Sequence, residues 1–193
     1  MNRTNYIFVD YENVQENELD RIANRPVKVW LVLGEQHKSL PLKLVKLIQK
    51  FPEQIVLIET ALNGKNELDF VLACELGAMA QKDATGYFHV LSRDKGFDAL
   101  IKHLKAKGIH AARHMAFSEI TVLMNFEERV NFLKKRFKTK RSGLPKKQKN
   151  LEADIQSLFA KMLSSEEVSE MVNKLIADRV ILISETGNVT YSI

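Results

Sequence analysis

The sequence predicts an α/β domain built on a mainly parallel sheet, followed by a basic tether and a small α+β module. Three observations carry this. Short apolar runs with β-branched and aromatic content recur at 6–9, 29–33, 55–58 and 88–91, each of strand length. Stretches of helical spacing lie between them, and alternation of the two implies right-handed crossovers and a sheet covered on both faces. Past residue 150 the pattern changes to two helices and a terminal hairpin.

Taken in order, the first run ends in Asp10. Leu42, Val45 and Ile48 mark the first long helix, Phe70, Ala73, Cys74 and Gly77 the second, and Leu100, Ile101 and Leu104 the third. A fifth short strand is expected over 109–112, because Gly108 follows Lys105 and Lys107 in the manner of a helix C-terminus. A helix over 125–137 is expected to close a first domain of residues 1–132. Residues 133–150 read as a basic helix end and linker. In 151–193, a helix near 151–163 precedes a second starting at Ser165 with Glu166 and Glu167 in its first turn. Runs at 180–184 and 189–193 flank Gly187 as a hairpin. This last module resembles a reduced winged helix.

Charge is unevenly placed. The chain has 193 residues and a formal charge of +5, but 1–132 is balanced, with 17 Lys+Arg against 17 Asp+Glu. The excess sits in 133–150, with nine basic and no acidic residues, while 151–193 holds three against seven. The tether residues Lys134, Lys135, Arg136, Lys138, Lys140 and Arg141 are therefore candidates for contact with a polyanion. The acidic balance of 151–193 points instead to protein contact or self-association. A single cysteine, Cys74, excludes an intrachain disulfide and a cysteine-rich zinc site, and its helical spacing reads as core packing. The five histidines lack ligand spacing. No run has the length of a membrane span and no signal segment precedes the first strand, so the expectation is a soluble cytoplasmic protein.

The chemistry lies in carboxylates. In open α/β sheets ligands bind at the carboxyl ends of the strands, and those positions here are acidic: Asp10 ends the first run, Asp94 follows 88–91, and Asp98 lies four residues on. Asp69 stands near the start of the helix after Gly64-Lys65-Asn66. Carboxylates gathered at one rim repel one another unless a hard cation neutralises them. Mg²⁺ or Mn²⁺ suits such donors and supports phosphodiester hydrolysis without a nucleophilic side chain. Asn13 suits orientation of an acid or water, Ser92 a hydrogen bond to carboxylate or phosphate, and Lys65 a phosphate contact.

Three motifs, Tyr6-Ile7-Phe8-Val9-Asp10-Tyr11-Glu12-Asn13-Val14, Gly64-Lys65-Asn66-Glu67-Leu68-Asp69-Phe70 and Ser92-Arg93-Asp94-Lys95-Gly96-Phe97-Asp98, occur in an order that resembles the PIN-like nucleases near their NYN branch. The resemblance spans residues 5 to about 115. It implies a three-layer α/β/α sandwich and Mg²⁺- or Mn²⁺-dependent ribonuclease activity. Asp10, Asp69, Asp94 and Asp98 match its catalytic acids, with Asp10, Asp94 and Asp98 on the metal and Asn13, Lys65 and Ser92 toward substrate. RNA is the implied partner, with single-stranded DNA as an alternative. Glu67 competes with Asp69 for the second acid, and the Lys-x-x-x-Asp spacing favours Asp69. Two other readings remain. One is a catalytically silent RNA- or nucleotide-binding module that recruits a partner through 151–193. The other is small-molecule phosphotransfer from Asp10 with Glu12 two residues on.

Overall fold

A computed structural model describes all residues except 1–2, 15–17, 35–36, 61–65, 141, 160 and 193. It forms two compact units, one ending at Leu123 and one spanning Met124–Ile193.

The first unit is a five-stranded sheet of β1 (Asn5–Asp10), β2 (Val27–Leu33), β3 (Ile55–Glu59), β4 (Tyr87–Leu91) and β5 (His110–His114), in the order β3-β2-β1-β4-β5. Every pairing is parallel, so each connection must cross over the sheet, and α1 (Leu42–Lys50), α2 (Glu67–Lys82) and α3 (Phe97–Ala106) do so. The chain builds outward from β1 to β3, then returns to place β4 on the other side of β1. The strand order reverses between β1 and β4, the place where doubly wound sheets open a crevice.

Side-chain alternation gives the sheet two apolar faces. Tyr6, Phe8, Trp30, Val32, Phe88 and Val90 share one core with Leu68, Leu72 and Leu76 of α2 and Phe97, Ile101 and Leu104 of α3. Ile7, Val29 and Leu31 alternate to the opposite face and are buried there too. Each fully buried Leu, Ile or Phe contributes about 1.5–3 kcal/mol of transfer free energy, so this double-sided burial fixes the strand register.

The helices exist where the spacing predicts, but their faces differ. In α2 the buried residues are Leu68, Leu72, Leu76 and Ala80, whereas Phe70 is 70% exposed and Cys74 is exposed. The reading of Cys74 as a core residue is thus corrected. Nothing lies within 4 Å of a Cβ placed on Gly77, so that glycine serves no close helix approach. The helix is apolar around most of its circumference, and the Leu ladder at i, i+4 outweighs the Phe-Cys-Gly set that shares the same period. In α1, likewise, Leu44 and Leu47 are buried while Leu42 is exposed.

The second unit comprises α4 (Phe126–Thr139), α5 (Gln148–Leu158), α6 (Ser165–Ala177) and the antiparallel hairpin β6 (Ile181–Ile183) and β7 (Val189–Tyr191). Gly187 takes φ 72° in the hairpin turn, a conformation that favours glycine. Capping boxes start α4, with Asn125 and Glu128, and α6, with Ser164 and Glu167, each satisfying orphan amides and contributing about 1 kcal/mol. The helix expected to close the first domain carries Val130, Leu133 and Phe137 into one core with Leu151, Ile155, Met171, Leu175 and Ile181. The module is therefore fuller than the two helices and hairpin the sequence suggests. An isolated β-bridge between Lys147 and Asn188 ties the segment before α5 to the hairpin, giving a small α+β module.

Candidate active site

Strand register brings the first two site residues together. Val9 pairs with Leu91, so Asp10 at the end of β1 lies beside Ser92 just past β4. Alternation puts both on the side of the sheet that α2 and α3 cover. Asp10 and Ser92 are fully buried, and a buried carboxylate requires hydrogen bonds. Ser92 Oγ donates to Asp10 Oδ2 at 2.6 Å, and Asn13 Nδ2 donates to the same oxygen at 2.6 Å. Oδ1 receives one long contact, from the Asn13 amide at 3.3 Å, and is the less committed oxygen.

Ser92 also links two acids. Its Oγ accepts the Asp94 amide at 3.0 Å while donating to Asp10, so the backbone that carries Asp94 is tied to the Asp10 carboxylate. Asp94 Oδ1 in turn accepts the Gly96 amide at 2.7 Å, holding the turn that leads into α3.

Asp69 stands in the first turn of α2. Its carboxyl is pushed above the ordinary value first by burial, then by the charges of Asp10, Asp94 and Glu12. Three sequence-predicted acids, Asp10, Asp69 and Asp94, therefore share one electrostatic field. Glu12 joins them, although no role was read for it in metal binding. Its carboxylate occupies the place where a Cβ on Gly34, at the end of β2, would stand. A glycine at 34 leaves that room, which is a signal recoverable only once β1 and β2 are known to be neighbours.

Asp98 is placed differently. Arg113, on β5, donates from Nε to Asp98 Oδ1 at 2.7 Å and from Nη2 to Oδ2 at 3.4 Å, and from Nη1 to the Ser92 carbonyl at 3.0 Å. Hydrogen bonding to Arg113 holds the Asp98 carboxyl below its usual range, with burial opposing and the Arg113 and Lys95 charges adding. Sequence reading missed Arg113. Lys65 lies outside the described residues. Glu67, the competing second acid, is half-buried in the same helical turn.

The tether residues belong to the second unit. Lys134 pairs with Asp178 at 2.7 Å, Arg136 approaches Asp154 at 3.8 Å, and Lys140 Nζ donates to the Gly143 carbonyl at 3.1 Å. Lys135 and Lys138 are exposed, and Arg141 lies outside the described residues.

A divalent cation fits these donors in kind. The acids are hard oxygen ligands, Asp10 keeps one lightly engaged oxygen, and the Asp69 carboxyl is raised first by burial and then by neighbouring acids whose charge a cation would offset. Among the described residues, however, no three acidic, imidazole or thiol groups stand close enough to form a finished ligand set. Binding therefore requires side-chain movement, for which the exposed Glu12 and Asp94 have room.

On the opposite face of the sheet, a second polar group is sealed from this site. His89 is 2% exposed, with Nε2 2.9 Å from Asn5 Oδ1 and Nδ1 3.0 Å from His114 Nε2. Asn5 Nδ2 donates to the Arg3 carbonyl, which leaves its Oδ1 as acceptor and puts the His89 proton on Nε2. Nδ1 then accepts from His114.

Compared with known proteins, residues 4–114 match the family model described as PIN7, a PIN domain. No curated protein and no solved structure matches the chain. Among the described residues no helix is long and apolar enough to cross a membrane.

Proposed function

Since the chain belongs to the PIN-domain family, whose model covers residues 4–114, we propose that it is a Mg²⁺- or Mn²⁺-dependent endoribonuclease acting on single-stranded RNA at the rim formed by Asp10, Asp69 and Asp94. One observation carries this reading: burial and the charges of Asp10, Asp94 and Glu12 together raise the Asp69 carboxyl, so several acids share one field. The NYN branch, read from the three motifs, is part of the proposal, as is a cytoplasmic location.

A bound divalent ion would supply an activated water and stabilise charge on the phosphodiester. Within the chain, Asp10 is the fixed ligand, held by Ser92 and Asn13. Asp94 and Asp69 complete the coordination, and Glu12 is added to the set that the sequence suggests. Asp98 joins only by releasing Arg113. Asn13 and Lys65 are assigned to substrate contact in this reading, and Ser92 acts as a positioning residue through Asp10.

A second reading, a silent RNA-binding module, is favoured by the full burial of Asp10 and by the lack of a finished ligand set among the described residues. Incubation of the protein with labelled RNA and DNA oligonucleotides, with Mn²⁺, Mg²⁺ or EDTA, separates the two. The nuclease yields fragments that EDTA and Asp94→Asn abolish. Binding without fragments, or turnover that survives both Asp10→Asn and Asp94→Asn, rejects it.

A further inference from the structure

Part of the basic stretch is bonded to the hairpin. Phe137 of α4 meets the Tyr191 ring edge-on at 5.1 Å, and Tyr191 Oη donates to the Pro145 carbonyl at 2.8 Å. The Val189 amide donates to the Lys146 carbonyl at 2.9 Å and the Gln148 amide to the Gly187 carbonyl at 3.0 Å. The end of α4, the segment 144–147, the start of α5 and the hairpin are thus knit into one body, which sets the backbone positions of the lysines they carry.

Ion pairing sorts those lysines. Lys134 and Arg136 are engaged by Asp178 and Asp154. Lys135, Lys138, Lys146, Lys147 and Lys149 are exposed and make no ion pair among the described residues. The carboxylates that follow most closely in sequence are Glu152, which accepts from Gln148, and Asp154, which Arg136 approaches. By contrast α6, the third helix of this unit, exposes Glu166 and Glu170. In winged-helix and helix-turn-helix proteins a late helix enters the groove, but here it would set carboxylates against phosphates.

We propose that the second unit binds single-stranded RNA through the phosphate backbone, using the exposed lysines of α4, of segment 144–147 and of α5, with Glu166 and Glu170 of α6 outside the contact. Point charges on flexible stems, without exposed aromatic platforms among them, imply binding that is independent of base sequence and steeply salt-dependent. The choice of RNA as the polyanion rests on the nuclease reading, but the surface does not.

The test is fluorescence anisotropy of the full chain with a labelled 20-nucleotide RNA in EDTA, on an Asp10→Asn background, between 50 and 200 mM KCl. Replacing Lys135, Lys138, Lys146, Lys147 and Lys149 by Gln is expected to weaken binding at least ~10-fold at low salt and to reduce the log–log salt slope by about three, at roughly 0.7 per phosphate contact on a single strand. Glu166→Gln with Glu170→Gln is expected to leave affinity within about twofold. Circular dichroism melts check folding, and the smaller variant Lys146→Gln with Lys147→Gln keeps the comparison open should the five-site variant unfold. Unchanged affinity and slope in the lysine variants, absence of RNA binding by the parent chain, or tighter binding to phosphatidylserine vesicles than to RNA each overturns the proposal. Failure of the nuclease reading shows separately, as absent cleavage by the wild-type chain with RNA binding intact.

Discussion

Arg113 grips Asp98 side-on, with Nε 2.7 Å from Oδ1 and Nη2 3.4 Å from Oδ2, while its third nitrogen holds the Ser92 carbonyl. One guanidinium thus withholds an acid from the rim and braces the turn beneath Asp10. Arg113→Gln removes a cation from the site and frees Asp98. Calorimetric Mn²⁺ titration should show affinity rising about 3- to 10-fold, a gain of up to about 1.4 kcal/mol. An unchanged Mn²⁺ affinity in that variant would place Asp98 outside the ligand set.

Ser92→Ala deletes the hydrogen bond to a fully buried carboxylate and the acceptor of the Asp94 amide. Loss of such support around a metal ligand typically lowers activity about 10- to 100-fold, and the unpaired lone pair costs about 1–3 kcal/mol of stability. Ser92→Thr should recover part of both. Full cleavage activity in Ser92→Ala would remove Asp10 positioning from the mechanism.

Asp69 makes a stability prediction with a definite sign. Its carboxyl is raised above 3.8, so the folded chain holds that proton more tightly than the unfolded chain does. The cost of ionising it is absent below the unfolded value, grows as pH climbs through the raised one, and is fully present at neutrality. Asp69→Asn in EDTA should therefore melt roughly 1–3 °C higher at pH 7, with the gain gone below pH 3.8. Added Mn²⁺ should stabilise the parent chain and not the variant. A variant less stable at pH 7 contradicts the crowded-acid geometry.

The buried histidines set an acid limit. Burial, then the neighbouring His114 charge, pushes His89 well below 6.5, and burial takes His114 to about 4, with Glu119 opposing. Both must stay neutral in the fold, so their contribution is complete above pH 6.5. It is lost as pH falls from 6.5 toward 4, where the unfolded chain takes up protons that the folded one refuses. Melting temperature should drop across that window, and His114→Gln should flatten the drop. A pH-independent melt from 7 to 4.5 is the contrary result.

Much of the fold was legible because four apolar runs of strand length alternate with helical spacing, and a strand buried on both faces needs an apolar residue at nearly every position. Helix faces were not. In α2 the Leu68-Leu72-Leu76 ladder and the Phe70-Cys74-Gly77 set have compatible periods, and only the position of the sheet decides between them. At the site, Asp10 and Ser92 were legible as strand-end residues, but their hydrogen bond depends on the β1–β4 register, which no local pattern encodes. Arg113 sits in the run His-Ala-Ala-Arg-His, distant from any acidic motif, and its pairing with Asp98 arises because β5 follows α3 beside the rim. Glu12 was visible within the first motif, yet its participation depends on the space left at Gly34.

Helix α4 runs without interruption from Phe126 to Thr139, and its Val130, Leu133 and Phe137 share one core with α5 and α6. Severing the polypeptide between 132 and 133, where composition alone suggests a boundary, would split that helix between two fragments. The upstream piece would carry a sticky apolar stub, and the downstream piece would lack Met124 and Val130 from its interior. Dissection by recombinant truncation or limited proteolysis should instead use the junction between Leu123 and Met124.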